Sequence, residues 1–173
     1  ITAMPCSTPK WIQLRGNSGN LRPTVRNCLL QGIDGATAAL HADGARATIE
    51  NCTVAGNASP GAVLCNESQM ANSILHGNTT DLGGPTAWND NRPVLSNCLF
   101  ETVAPGAYYR EIDCLHADPR FADAGDGDYG LSGYSPCLGR GTNQGWMAGA
   151  QDLGGNPRLA GTRVDMGAYE YRQ

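Results

Sequence analysis

Cations are scarce in this chain of 173 residues, which has one lysine, Lys10, and a formal net charge of −4. A surface that grips phosphates needs clustered cations, so nucleic acid is excluded as a partner. Long apolar runs are missing too. Without a stretch of about 18 apolar residues there is no segment to cross a bilayer as a helix. No window of about 12 residues holds apolar positions at i, i+3, i+4 and i+7, which argues against long amphipathic helices. There are only two Phe. The seven cysteines contain no CxxC and no Cys/His cluster, which argues against a zinc site. Residues 1–10 lack the charged start and apolar stretch of a signal peptide. Either a leader has been removed or the chain begins partway through a longer protein.

What the chain does contain is turns and a repeat. Gly numbers 23 and Pro 10, a composition suited to thin strands joined by frequent bends. One pattern recurs: Val25-Arg26-Asn27-Cys28-Leu29-Leu30, Ile49-Glu50-Asn51-Cys52-Thr53-Val54, Met70-Ala71-Asn72-Ser73-Ile74-Leu75 and Leu95-Ser96-Asn97-Cys98-Leu99-Phe100. The asparagines follow one another in steps of 24, 21 and 25 residues, a period that points to a solenoid. The LxxLxLxxN spacing of leucine-rich repeats is absent. Each repeat divides instead into three short strands, as in a parallel β-helix. Expected A strands are Trp11–Leu14, Ala36–Leu40, Gly61–Cys65 and Thr86–Trp88. Expected B strands are Thr24–Arg26, Thr48–Glu50, Gln69–Ala71 and Val94–Ser96. Strand C begins just after each Asn, and Tyr108–Cys114 opens a fifth coil.

Coils stack at about 4.8 Å, so equivalent side chains form ladders. Asn27, Asn51, Asn72 and Asn97 are expected at a sharp B-to-C bend, where Asn tolerates a left-handed backbone and stacked amides bond one another. The following position, Cys28, Cys52, Ser73 and Cys98, is small throughout, as an interior corner requires. Its thiols read as buried small hydrophobes. Disulfides in an oxidising compartment are the alternative reading of so many cysteines.

From about Asp118 the repeat has no counterpart, and an ordered series of motifs follows. It runs Asp118-Pro119-Arg120-Phe121, Gly127-Asp128-Tyr129-Gly130-Leu131, Ser135-Pro136, then Asp152-Leu153-Gly154-Gly155-Asn156-Pro157-Arg158, and finally Val164-Asp165-Met166-Gly167-Ala168-Tyr169-Glu170-Tyr171. This series resembles the C-terminal signature of bacterial choice-of-anchor Q domain proteins, a group of right-handed parallel β-helix repeat proteins. The resemblance implies export, a secreted, extracellular or cell-surface setting, and a β-helix that ends at this signature. One departure stands out: Gly139 occupies the place of the family's usual Asp. The expected fold is therefore all-β, a right-handed parallel β-helix of four to five three-strand coils over residues 1–117 with a C-terminal cap over 118–173.

Candidate sites lie in two places. The turn after strand A carries His41 and Asp43, Asn66 and Glu67, then Asn89 and Asp90. Asp43, Glu67 and Asp90 on successive coils have the spacing of a carboxylate pair that cleaves a glycosidic bond. Trp88, with His41, is the candidate binding group, since an aromatic face stacks on a sugar ring. The alternative is that these polar groups merely fill solvent-facing turns. A lyase also needs a basic side chain, for which Arg15 and Arg46 are the candidates. Asp123, Asp126 and Asp128, on a glycine-bent loop, form the metal candidate, and calcium is the ion that suits them; a plain Asp/Gly turn is the competing reading. No other cofactor is implied. His76 and His116 read as structural or exposed.

The functional expectation is a non-catalytic extracellular or cell-surface structural or binding module, self-associating into fibres or binding glycan. The alternative is a polysaccharide lyase or glycoside hydrolase acting along the strand A face. Expected partners are a polysaccharide and, at the N-terminal edge, further β-helix coils or a second subunit.

Overall fold

The computed structural model describes residues 11–15, 22–43, 46–64, 67–84 and 92–172, with only the backbone of Asp43. Three parallel sheets run along a solenoid. Sheet A contains Ile12–Arg15, Leu40–Asp43, Ala62–Leu64 and Leu82–Gly83; sheet B contains Thr24–Arg26, Thr48–Glu50, Gln69–Ala71, Val94–Ser96 and Arg110–Ile112. Sheet C contains Leu29–Leu30, Thr53–Ala55 and Ile74–His76, and single bridges carry it on to Leu99 and Leu115.

Register follows the repeat. Val25, Ile49, Met70 and Leu95 are partners on adjacent strands, all buried. The B strands fall where the sequence places them. In sheet A the second strand begins at Leu40, past most of the expected Ala36–Leu40 span, because it is Leu40 and Ala42 that alternate inward beside Ala62 and Leu64. The fourth strand is Leu82–Gly83, and the expected Thr86–Trp88 lies outside the described residues. His41 and Asp43 therefore belong to a strand and not to the turn after it.

The corners explain the repeat. Asn27, Asn51, Asn72 and Asn97 all have φ between 49° and 51°, and Asp113 continues the column at 52°. A left-handed backbone costs most L-residues about 1–2 kcal/mol, and Asn and Asp tolerate it best. Inside the corner, the Cys28, Cys52 and Cys98 side chains are buried, while Cys114 is only partly so. The hydrogen bond with the Cys28 sulfur, and then burial, raise the Cys52 thiol well above its ordinary range. A second corner, between C and A, repeats at Gly32, Gly56 and Gly77, each with φ near 64°. Behind it runs an internal polar ladder: Asn57 Nδ2 donates to Asn78 Oδ1 at 2.7 Å, and Asn78 Nδ2 donates to Asp81 Oδ1 at 3.0 Å. Asp81 Oδ2 accepts from the backbone N–H groups of Glu101 and Thr102. Asn57, which begins a formal glycosylation sequon, is thus buried and fully engaged.

Strand C packs on both faces. Leu30, Val54, Leu75 and Phe100 point into the solenoid, while Ile74 and Leu99 face outward into a second core with Leu131, Cys137 and Met166. That second core belongs to residues 118–172, which lie along the side of the solenoid. The asparagine amides hold them there. Asn27 Nδ2 donates to Gln151 O (2.8 Å), Asn51 Nδ2 to Asp165 O (3.3 Å), Asn72 Nδ2 to Thr142 O (3.0 Å) and Asn97 Nδ2 to Arg140 O (3.2 Å). One bond joins neighbouring corner amides, from Asn72 to Asn51 at 3.4 Å, so the column is chiefly a docking strip and only secondarily an amide stack. At Gly167 the backbone comes so close that a Cβ would meet Thr53 Oγ1 at 2.8 Å and Ile74 Cδ1 at 2.9 Å. The C-terminal segment does not cover the outermost B strand, where Arg110, Glu111 and Ile112 are all exposed.

Asn72 combines the left-handed backbone with a two-way amide contact, since its Oδ1 also accepts from Thr142 N at 2.8 Å. Asn72→Leu should destabilise by about 2 kcal/mol, from backbone strain plus the two part-buried hydrogen bonds to Thr142 that are lost. Asn72→Gly relieves only the strain and should fall between Leu and wild type. Denaturant titration of the three proteins checks the order, and a Leu variant within about 0.5 kcal/mol of wild type contradicts the docking role.

Candidate functional site

The outward face of sheet A carries Gln13, His41, Val63 and Gly83 in one row, with Arg15 beside Asp43 in the backbone register. Of the expected carboxylates, Glu67 stands at the A-to-B corner and pairs with Arg46, Nε to Oε2 at 3.0 Å. Both side chains are about one-third exposed, so the pair contributes little to stability. Its chemical effect is larger than its energy. Glu67 is engaged by a cation, and Arg46, a candidate base, is engaged by Glu67. Asp90, Trp88, Asn66 and Asn89 lie outside the described residues.

Sheet B offers the longer outward face. Its first row is Thr24, Thr48, Gln69, Val94 and Arg110; its second is Arg26, Glu50, Ala71, Ser96 and Ile112. Arg26 and Glu50 are ion-paired across adjacent strands. On the corner side the C-terminal segment sets Trp146 under Arg26, with the guanidinium carbon 4.7 Å from the ring centroid. Trp146 Nε1 donates to Gln144 Oε1 at 2.6 Å, which fixes the indole. On the other side Arg92 stacks on Tyr108 at 3.8 Å. The sheet is thus a polar floor with a cation–aromatic pair at each margin. Trp146 has no counterpart in the repeat, so no periodicity points to it. The 24-residue step between Arg26 and Glu50, equal to the repeat, was the available sign that these two stack.

The acidic loop is a hairpin. Phe121–Asp123 pairs antiparallel with Asp128–Leu131 around the 3-10 turn Ala124–Asp126, and Gly127 closes it at φ 83°. Asp123 Oδ1 accepts from Asp126 N at 3.3 Å and Asp128 Oδ1 from Gly130 N at 2.9 Å. Two of the three expected calcium ligands are therefore turn-closing groups. Among the described residues no three His, Cys, Asp or Glu side chains are arranged to hold a metal ion.

The signature motifs meet in a buried ionic cluster. Arg158 is fully buried; Nη2 donates to Gly167 O (2.6 Å) and Asp165 O (3.3 Å) and lies 3.3 Å from Glu170 Oε1. Asp152 accepts from Asn156 N and Glu170 N, each at 2.7 Å. Asp165 accepts from Gly139 N (2.5 Å) and Tyr171 N (2.8 Å). Carboxylates bonded to several backbone N–H groups in this way hold loops together. A cleft of about 1140 Å³ opens beside them, lined among others by Gly139, Arg163, Asp165, Tyr171 and Arg172. Nothing lies within 4 Å of where a Cβ of residue 139 would be, so Gly139 leaves open space in that cleft.

The repeat, the three parallel sheets and the left-handed corners agree with one outside comparison: the model of the right-handed beta helix region matches residues 11–111. The chain belongs to the right-handed β-helix family. Neither the curated proteins nor the solved structures give a match. The matched span ends within the last B strand, so the β-helix family describes the solenoid, and the ionic cluster lies beyond it.

Burial pushes the Glu170 carboxyl up to about 8, against the pull of Arg158 and with the added repulsion of Asp165 and Asp152. Its ordinary value is 4.5, so between these limits the folded protein holds a proton that the unfolded chain releases. The stability this proton contributes is complete below about 4.5 and is lost as pH rises through about 8. Denaturation midpoints measured from pH 5 to 9 should fall with rising pH, and Glu170→Gln should flatten the slope. A midpoint that rises with pH, or a slope the variant leaves untouched, contradicts the assignment.

Proposed function

We propose that this β-helix is a non-catalytic binding module of an exported bacterial protein and holds an extended polysaccharide against the outward face of sheet B. The observation that carries the reading is that face itself. Hydroxyl and amide side chains of Thr24, Thr48, Gln69 and Ser96 project from successive strands, with Trp146 and Tyr108 at the margins. Strands spaced at about 4.8 Å present such groups at a regular interval, which suits a polymer of repeating hydroxyl-rich units. Aromatic rings at the rim add stacking area. The non-catalytic part rests on engagement: Glu50 and Glu67 are each tied to an arginine, and the carboxylates of the signature motifs are tied to backbone N–H groups.

The resemblance of the Asp118–Tyr171 motifs to the choice-of-anchor Q signature supports export and an extracellular or surface setting. In this reading the solenoid has five coils, and the C-terminal segment is a cap that braces them from the side.

Binding to a panel of acidic and neutral polysaccharides, measured by affinity electrophoresis, tests the proposal. At least one should retard the protein, and Trp146→Ala should weaken that binding roughly three- to tenfold through lost stacking. No retardation by any member overturns the reading. Accumulation of reducing ends or unsaturated products would assign the chain to the catalytic alternative instead.

A further inference from the structure

The two ends of the solenoid differ. At the N-terminal end the first-coil core residues Val25, Cys28 and Leu30 are buried, at 3%, 2% and 5% exposure. At the other end the core columns change character. Val25, Ile49, Met70 and Leu95 form one inward column, and the next residue in register is Glu111. Leu30, Val54, Leu75 and Phe100 form another; because Leu99 bridges Leu115, the residue after Phe100 in that column is His116. Two apolar columns therefore terminate in a carboxylate and an imidazole.

These groups close over the end together. His116 Nε2 lies 3.0 Å from Glu111 Oε2, and His116 Nδ1 lies 2.9 Å from Phe100 O. The imidazole stands edge-on to Phe100 at 4.7 Å, and Tyr109 meets the same ring edge-on at 5.8 Å. Phe100, fully buried, is the last apolar floor of the core. Above it, the Glu111 and His116 side chains keep 44% and 48% exposure, so both remain hydrated.

We infer that the C-terminal end of this β-helix is a built terminus: Glu111 and His116, set in the inward columns, reject the addition of a further coil or a second copy. Its outermost strand, Arg110–Ile112, is the edge of sheet B among the described residues, and an edge strand presents backbone groups that template another strand. A strand laid over it would strip water from a carboxylate and an imidazole facing the core. Desolvating a carboxylate and its imidazole partner opposes the modest gain of a short strand pairing. Inward-pointing charge on an edge strand is a recognised defence against such pairing. The inference is independent of polysaccharide binding, which uses a lateral face.

Cys114 supplies a probe, because it is the column thiol nearest this end and only partly buried. A hydrogen bond from the Cys98 thiol lowers it to about 7, while burial raises Cys98 well above the ordinary range. Alkylation at neutral pH, read by mass spectrometry of the Cys114 peptide, therefore reports whether the end is open. In the wild type, labelling of Cys114 should not slow as protein concentration rises. The double variant Glu111→Leu with His116→Leu gives the end apolar columns. It should form larger species in sedimentation velocity and protect Cys114 roughly tenfold once about nine-tenths is associated. Glu111→Lys keeps a charge in the column and should behave as wild type. If the double variant does not fold, Glu111→Leu alone carries the test with the same sign and a smaller effect. A folded apolar variant that stays as dispersed as wild type overturns the inference, and so does a wild type that buries Cys114 on concentration.

Discussion

The left-handed corner between sheets B and C is the constraint on which the rest depends. A three-strand coil closes only if the chain reverses within one residue, and five positions in register, from Asn27 to Asp113, adopt φ near 50° to do it. Asn meets that demand and brings a side-chain amide with it. In the four asparagines the amide points away from the interior and donates to carbonyls of the C-terminal segment. One residue type thus solves a backbone problem within each coil and a docking problem between the coils and the rest of the chain.

The consequences spread from that corner. Because the C-terminal segment docks along it, strand C is covered on both sides and most of its residues are apolar, as in a sheet buried on both faces. Sheets A and B keep one face to solvent and alternate. Burying an aliphatic side chain such as Ile74 or Leu99 in the second core contributes about 1.5–3 kcal/mol. Residues 118–172 are therefore integral to the solenoid's lateral wall, with their own core and their own ionic cluster around Arg158.

The charged groups sort by position. Those on outward rows pair along the axis, as Arg26 does with Glu50. Those in the C-terminal segment bind backbone N–H groups and organise loops, as Asp152 and Asp165 do. Among the described residues, Glu111 and His116 end columns that are apolar in every coil below them. The polar floor of sheet B, bounded by Trp146 and Tyr108, is where side chains from different coils address solvent together, and the proposed binding reading rests there.

Much of this was legible in the residues and some was not. The asparagine period located the B strands and the small interior position beside each corner, because in-register stacking forces equivalent residues into equivalent places. Gly32, Gly56 and Gly77, recurring at the same 24- and 21-residue steps, would have located the second corner by the same logic. The A strands were harder to place. Ala36–Leu40 is an apolar run, but strand pairing begins at Leu40, and only the neighbouring coil decides which residues of such a run alternate inward. The polar ladder fared similarly: Glu67 faces Arg46 across a corner whose shape depends on loop lengths that vary from coil to coil. By itself, then, the sequence determined the period, the corner residue and the family of folds, since these arise from local backbone preference repeated at fixed spacing. The lateral docking of the C-terminal segment, the partners of each carboxylate and the polar closure of the last coil were decided only by tertiary structure. Each joins residues far apart in the chain, as Asn27 joins Gln151 across 124 positions, and nothing in the local sequence encodes such a pairing.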